Sequence, residues 1–350
     1  MKPMFYVLLF TLLLVSCTPA STPTSTGPQT ITIMTHDSFA IGEDVIKAFE
    51  ADNDAKVVFL QSGDAGSVLN QAILTKDAPL ADILFGVDNT FLSRALDADI
   101  FEAYQSPLLD QVSTEYILDD TYHALPIDYG DVCINYDKNY FSENNLSVPQ
   151  TFEDLVKPEY KDLLVVEDPA TSSPGLAFLL ATRAHFGDDY LDYWQSLKEN
   201  GIVIVDGWET AYYTNFSASS GRGPQPMVVS YASSPAAEVF FASEPLTESP
   251  TASIVAPGMC FRQIEFVGTL RVKNTANKAL AQKFVDFMLS QSFQEDMPLN
   301  MFVYPVNKNA NLPEVFVNFA QIAENPAVLS YSEIAENRDA WIEAWTEAMK

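Results

Sequence analysis

The stretch Asp168-Pro-Ala-Thr-Ser-Ser-Pro-Gly175 carries the chemistry most readable from residue type and spacing. Ser173 is a good helix N-cap, and Pro174 suits the first helical position, where its missing N–H would go unpaired in any case. A helix is therefore expected over 175–186. Its first turn offers free backbone N–H groups and the positive end of the helix dipole, and Ser172 and Ser173 add hydroxyl donors. Such a set takes an anion without Lys or Arg, although a plain capped helix has the same local pattern. A second candidate is Gly63-Asp64-Ala65-Gly66-Ser67, a tight turn before a helix over 68–74. Small residues there let a ligand approach the backbone, and Asp64 offers a carboxylate to an amine or a cation. Near expected loops stand Tyr129, Trp208, Tyr212, Tyr213, Tyr231, Phe302 and Tyr304. Rings of this kind sandwich flat heterocycles, and a cation over a ring face gains roughly 0.5–2 kcal/mol. Each ring alone would more often be core. Together with a few fixed polar groups they describe a small-ligand pocket.

Catalytic patterns are sparse. The histidines His36, His123 and His185 have no metal-ligand spacing, and GxSxG, HExxH and Walker A sequences are missing. No metal or cofactor is expected. Cys133 reads as a buried hydrophobe or, less economically, as a nucleophile. Cys133 and Cys260 could pair if the chain is exported, or stay as two buried thiols.

These residues need a frame. β-branched runs at 30–34, 55–60 and 81–86 read as strands, with a helical face at Val45, Ile46 and Phe49 between the first two. Alternating strands and helices imply a mostly parallel sheet with helices on both faces. Ligands in such sheets sit beyond the carboxyl ends of the strands. Those ends are polar here: Thr35-His36-Asp37-Ser38, Ser62-Gly63-Asp64 and Val87-Asp88-Asn89. A crossing segment over 125–136 leads to a second alternating unit, with strands at 163–166, 202–205 and 227–230 and a helix near 210–216. A strand over 263–272 returns. Amphipathic helices follow at 279–289 and 332–349, the latter with Ile334, Trp341 and Trp345 as core. The expected architecture is α/β with two lobes, residues 30–127 plus 270–350 and residues 128–269, joined by two crossing segments.

With 350 residues the chain suits about two domains of ~100–200 residues. Its 19 basic residues face 47 acidic ones, a formal charge of −28. Nucleic acid, which requires clustered Lys and Arg, is not an expected partner. The acidity suits an exported protein, and it favours a cationic ligand. Residues 1–16 read as an export signal: Lys2, then an apolar run over 5–15 that falls short of the ~20 residues of a membrane-spanning helix. Leu14-Val15-Ser16-Cys17 resembles a bacterial lipobox, which implies cleavage before Cys17 and lipid on its thiol. Residues 17–29, rich in Thr, Ser and Pro, read as a disordered tether.

Several segments together resemble one family: Asp37-Ser-Phe-Ala, Ala48-Phe-Glu-Ala-Asp, Ala81-Asp-Ile-Leu-Phe-Gly-Val-Asp-Asn89, Asp128-Tyr-Gly, Asp168 through Leu180, Gly207-Trp-Glu-Thr-Ala-Tyr212, Ser230-Tyr-Ala-Ser-Ser-Pro235 and Tyr304-Pro-Val. From about Thr30 onward the chain is similar to the periplasmic thiamine-binding receptors of bacterial ABC transporters, within the class II solute-binding fold. The resemblance implies a monomeric, non-enzymatic receptor that passes thiamine or its mono- and diphosphate to membrane permease subunits. It places ligand contacts at Asp64, Ala65, Ser172, Ser173, Trp208, Tyr231, Ala232, Ser233 and Ser234, with His36, Asp37, Tyr129 and Phe302 as further candidates. Departures from the family pattern are His36 for a Tyr, a shorter loop after Phe39 that lacks a Trp, and Phe302 for a Trp. Two rival readings are a receptor for a polyamine or ferric iron, and a type I thiaminase-like enzyme using Cys133.

Overall fold

The computed structural model describes residues 27–218, 222–271 and 277–350. The export signal, the lipobox cysteine Cys17 and most of the tether lie outside the described residues. Gln29, expected at the end of the tether, already pairs with Ala55 across two parallel strands.

Along the chain the elements run β1 (Gln29–Thr35), α1 (Glu43–Asn53), β2 (Ala55–Gln61), α2 (Ala65–Leu74), β3 (Ile83–Asp88), α3 (Leu92–Asp97), β4 (Phe101–Glu102) and β5 (Leu125–Asp137). There follow α4 (Lys138–Glu143), β6 (Leu164–Glu167), α5 (Ser173–Phe186), α6 (Tyr190–Glu199), β7 (Val203–Val205), a π-helical turn (Thr210–Asn215), β8 (Met227–Tyr231), α7 (Ser234–Phe240) and β9 (Thr251–Ile254). The chain closes with β10 (Phe261–Leu270), α8 (Lys278–Leu289), α9 (Gln291–Asn300), β11 (Tyr304–Pro305), α10 (Glu314–Phe319) and α11 (Tyr331–Met349).

The strands form one sheet in the order β2-β1-β3-β10-β5-β8-β6-β7. Parallel pairing holds β2-β1-β3 together on one side and β8-β6-β7 on the other. Between them β10 and β5 run antiparallel to each other and to their outer neighbours. These are the expected crossing segments. Both halves contribute to one continuous core. On the first side Phe49 of α1 meets Phe284 of α8 edge-on, with centroids 5.0 Å apart. On the second, Trp194 of α6 meets Trp345 of α11 edge-on at 5.3 Å. Trp341 and Trp345 are core residues, as their spacing predicts.

Cys133 and Cys260 form a disulfide between β5 and β10, with Cα atoms 4.4 Å apart. They follow directly on the Val132–Phe261 pair, so the bond staples the two crossing strands face to face. Both sulfurs are buried. A thiol nucleophile at Cys133, which the enzyme reading requires, is therefore unavailable in this structure.

Two helix starts differ from expectation. The helix after Asp64 begins at Ala65, earlier than 68, because the Asp64 side chain accepts from the Ala65 N–H (2.7 Å) and takes the cap position. The long helix begins at Ser173 with Ser172 as its cap residue. Ser173 is not the cap, because its hydroxyl is drawn away to donate to Asp88 of β3.

Candidate functional site

A cavity of about 290 Å³ opens where the polar ends of β1 and β2 face the starts of α5 and α7. Small-ligand pockets run to ~300–1,000 Å³, so this one suits a single small molecule. Of the residues anticipated from sequence, His36, Asp37, Asp64, Ala65, Ser173, Trp208, Tyr231, Ser234 and Phe302 line it. Ser172, Ala232, Ser233 and Tyr129 lie outside the lining. Ser172 is fully buried under α5, and Ala232 packs beside the disulfide. Tyr129 is stacked between Tyr116 (4.6 Å) and Tyr304 (5.4 Å). Ser233 acts from behind: its hydroxyl donates to the carbonyl of Phe302. Phe302 has φ of 55°, a left-handed conformation that a bulky residue holds only when neighbours fix it. The Ser233 bond is one such fixture, so Ser233 aims a cavity ring without touching the cavity.

The wall is aromatic. Trp208 and Tyr212 stack at 5.0 Å with planes 19° apart, and Tyr213 meets Trp208 edge-on at 5.4 Å. The indole is anchored at both ends. Its Nε1–H donates to Ser230 Oγ (2.8 Å), and its backbone N–H donates to Asp64 Oδ2 (3.0 Å). Asp64 thereby caps α2 with one oxygen and holds Trp208 with the other. Phe241 closes the rim, 69 % exposed, with its ring 5.5 Å from Phe302. Contact across the cleft is direct. The Gly66 N–H donates to the carbonyl of Thr171 (3.1 Å), and a Cβ at Gly66 would sit 2.9 Å from the Ala170 and Thr171 carbonyls. Only glycine admits that approach.

The floor is acidic. Glu265 of β10 reaches the cavity and lies 3.3 Å from His36 Nε2. Glu265 pairs in register with Asp88 on β3 and with Asp128 on β5. Directly opposed residues on neighbouring strands share a face, so three carboxyl groups stand in a row, all buried. Burial pushes Asp88 up to about 7, the charges of Glu265 and Asp64 adding to it against hydrogen bonds from Thr90. Burial, with Glu265 beside it, raises Asp128 well above the ordinary carboxylate range. Asp64 is raised by burial despite the N–H bonds from Trp208 and Ala65. For His36 burial pulls downward, but the Glu265, Asp64 and Asp37 carboxylates outweigh it and raise the imidazole. His36 packs against Gly86, where φ is +94° and a Cβ would lie 2.4 Å from the ring. No Lys or Arg is among the residues lining the cavity.

Sequence reasoning missed Glu265 and Gln263, whose Nε2 donates to Tyr231 OH (3.0 Å). A signal existed. The two alternate with Ile264 and Phe266 inside an apolar run, the period that puts two polar side chains on one face.

Comparison with known proteins agrees with this geometry. Residues 78–318 match a family model described as bacterial extracellular solute-binding protein. The thiamine-binding periplasmic protein of Escherichia coli (strain K12) is 31% identical to this chain, over 91% of this chain and 93% of its own length. A solved periplasmic thiamin binding protein superposes with a TM-score of 0.80 at 29% identity, covering 93% of this chain and 98% of its own. A ferric binding protein from Campylobacter jejuni superposes at 0.71 with 20% identity, a likeness of fold. This chain belongs to the bacterial extracellular solute-binding proteins and has their class II periplasmic-binding-protein fold.

Proposed function

We propose that the chain captures thiamine, free or phosphorylated, and hands it to the permease of an ABC importer. The observation that carries this reading is the pairing of a stacked aromatic wall with an acidic floor in a small cavity lined by no Lys or Arg. Thiamine is a flat aminopyrimidine joined to a permanently cationic thiazolium, and each half answers one surface. The relatives named for thiamine binding support the same choice. In this reading Trp208, Tyr231 and Phe302 face the rings, and Asp64 accepts from a donor group of the ligand. The hydroxyl or phosphate tail goes to Ser173 and Ser234 at the starts of α5 and α7, where unpaired N–H groups favour an acceptor.

Ferric iron would require phenolates converging on one point. The Tyr212 hydroxyl donates to Glu238 (2.5 Å) and the Tyr231 hydroxyl is bonded by Gln263, an arrangement that favours the organic cation.

Two lobes move about β5 and β10 to admit and enclose the ligand. Residues 30–127 with 270–350 form one, and residues 128–269 the other. Helix α11 bridges them, packing on α6 where Trp194 meets Trp345 and reaching Thr90 and Phe91 through Arg338. Export and lipid at Cys17 hold the receptor at the outer face of the membrane or in the periplasm, working as a monomer without catalysis. The test is calorimetry of the chain from residue 27 onward with thiamine and its mono- and diphosphate. Binding of at least one is expected; no heat from any at about tens of micromolar would overturn the ligand assignment.

A further inference from the structure

Within the carboxyl row Asp88–Glu265–Asp128, Asp88 is tied into the fold, accepting from the Thr90 N–H (2.6 Å) and from the Ser173 hydroxyl. A buried carboxylate without a full partner is costly, and apolar residues of similar size would pack as well. For its two oxygens Asp128 finds only the Glu265 carboxyl beside it. The row joins a wider group of ionisable side chains. From the end of β1 come His36 and Asp37, from the turn before α2 comes Asp64, from β6 Glu167, and from β8 Tyr231. His36 is the one basic side chain in this set. Three carboxyl groups on adjacent strands in a low-dielectric place cannot all be charged, and burial makes Asp88 and Asp128 the members that favour a proton. Glu265 is the member of the row that lines the cavity and faces His36.

We propose that Glu265 is the counter-charge for the ligand's cationic ring, and that a ligand cation enters in exchange for a proton held among His36, Asp88 and Asp128 around it. This deepens, and rests on, the reading of the site as a receptor for a permanently charged heteroaromatic. The balance is simple. An empty cavity holds its excess negative charge in check with protons. When the cation arrives within the same enclosed space it supplies that positive charge, and a proton leaves to solvent. Charge in the site stays nearly constant, which keeps the row tolerable whether the cavity is filled or empty. A neutral ligand releases no proton, so the same device discriminates against it. Protons and the cation compete, so apparent affinity rises from about pH 5 to about pH 8.

Titration calorimetry with thiamine at about pH 7, in two buffers of different ionisation heat, tests this directly on the unmodified chain. The expected result is a binding heat that differs between the buffers, equivalent to release of part or all of one proton. Glu265→Gln should bind roughly tenfold or more weakly, with the buffer difference abolished. Asp88→Asn should release fewer protons on binding, so that its affinity changes less between about pH 5 and about pH 8. Equal heats in both buffers together with unchanged affinity of Glu265→Gln would overturn the inference while leaving the thiamine assignment standing. No heat with thiamine in either buffer would overturn both. The two-buffer measurement requires no variant, so a variant that fails to fold does not blunt it.

Discussion

The floor and the wall of the cavity are built in opposite ways. Glu265 at the floor and the Asp88 and Asp128 carboxyls beside it project from the central strands β10, β3 and β5, where strand register fixes their spacing. Tyr231 ends strand β8, but the other wall rings sit in or just before a π-helical turn, at the end of α7 and on a left-handed residue before β11. Buried charge is tolerable only in fixed geometry, so it belongs on strands. A ring gains most of its contact from area and accepts some adjustment, so it can ride on connections that move to admit a ligand. Selection by charge is thus built into the frame of the molecule, and selection by shape into its rim.

That contrast can be broken at either side. The largest effect is expected at the floor, from pH alone. Asp88, with a folded value of about 7 against 3.8 unfolded, holds a proton that the unfolded chain gives up. Its contribution to stability is complete below the unfolded value and disappears as pH rises through the folded one. Asp128, Glu167 and His36 are raised too and act in the same direction. The ligand-free chain should therefore lose on the order of a few kcal/mol between about pH 4 and about pH 8, read as a falling thermal midpoint. Asp88→Asn should flatten that slope. A midpoint that rises over this range would show that the row is ionised throughout.

Next in size is the staple beneath the floor. Replacing Cys133 and Cys260 together by Ser should cost about 2–4 kcal/mol in chemical denaturation, because the bond ties the strands that bear Asp128 and Glu265. A smaller effect is expected at the wall. Trp208→Ala removes the ring stacked on Tyr212 and should weaken thiamine binding by about 2 kcal/mol, some thirtyfold, with little change in proton release. Loss of proton release in this variant would mean that floor and wall are one unit. The smallest effect is at the rim: Phe241→Leu should change affinity by roughly 0.5 kcal/mol or less, since that ring is 69 % exposed.

The same contrast decides what could be read from sequence. Rings and helix starts stand in punctuated stretches rich in Gly, Pro and Ser, so Trp208, Tyr231, Asp64 and Ser173 were legible one by one. The alternation of strands and helices in each half followed from periodicity, whereas the strand order did not. Asp88 showed as a polar strand end and Asp128 within a family-like segment, but Glu265 was hidden inside an apolar run, and only the β3-β10-β5 register brings the three together. Local spacing carries no information about pairing between distant strands. For the same reason Ser173 looked like a cap, since its partner Asp88 is distant in sequence. The disulfide was open in sequence because pairing requires the β5–β10 register that aligns the two cysteines.

The central claim is that the cavity selects a flat molecule by its rings and a positive charge by its floor. Thiochrome, the neutral fused-ring oxidation product of thiamine, keeps the flat rings and lacks the charge. Competition of the two for the same chain, followed by quenching of Trp208 fluorescence against a Trp208→Phe control, separates these requirements. The account predicts that thiamine binds and that thiochrome is weaker by roughly tenfold or more. Equal binding of the neutral compound would contradict it.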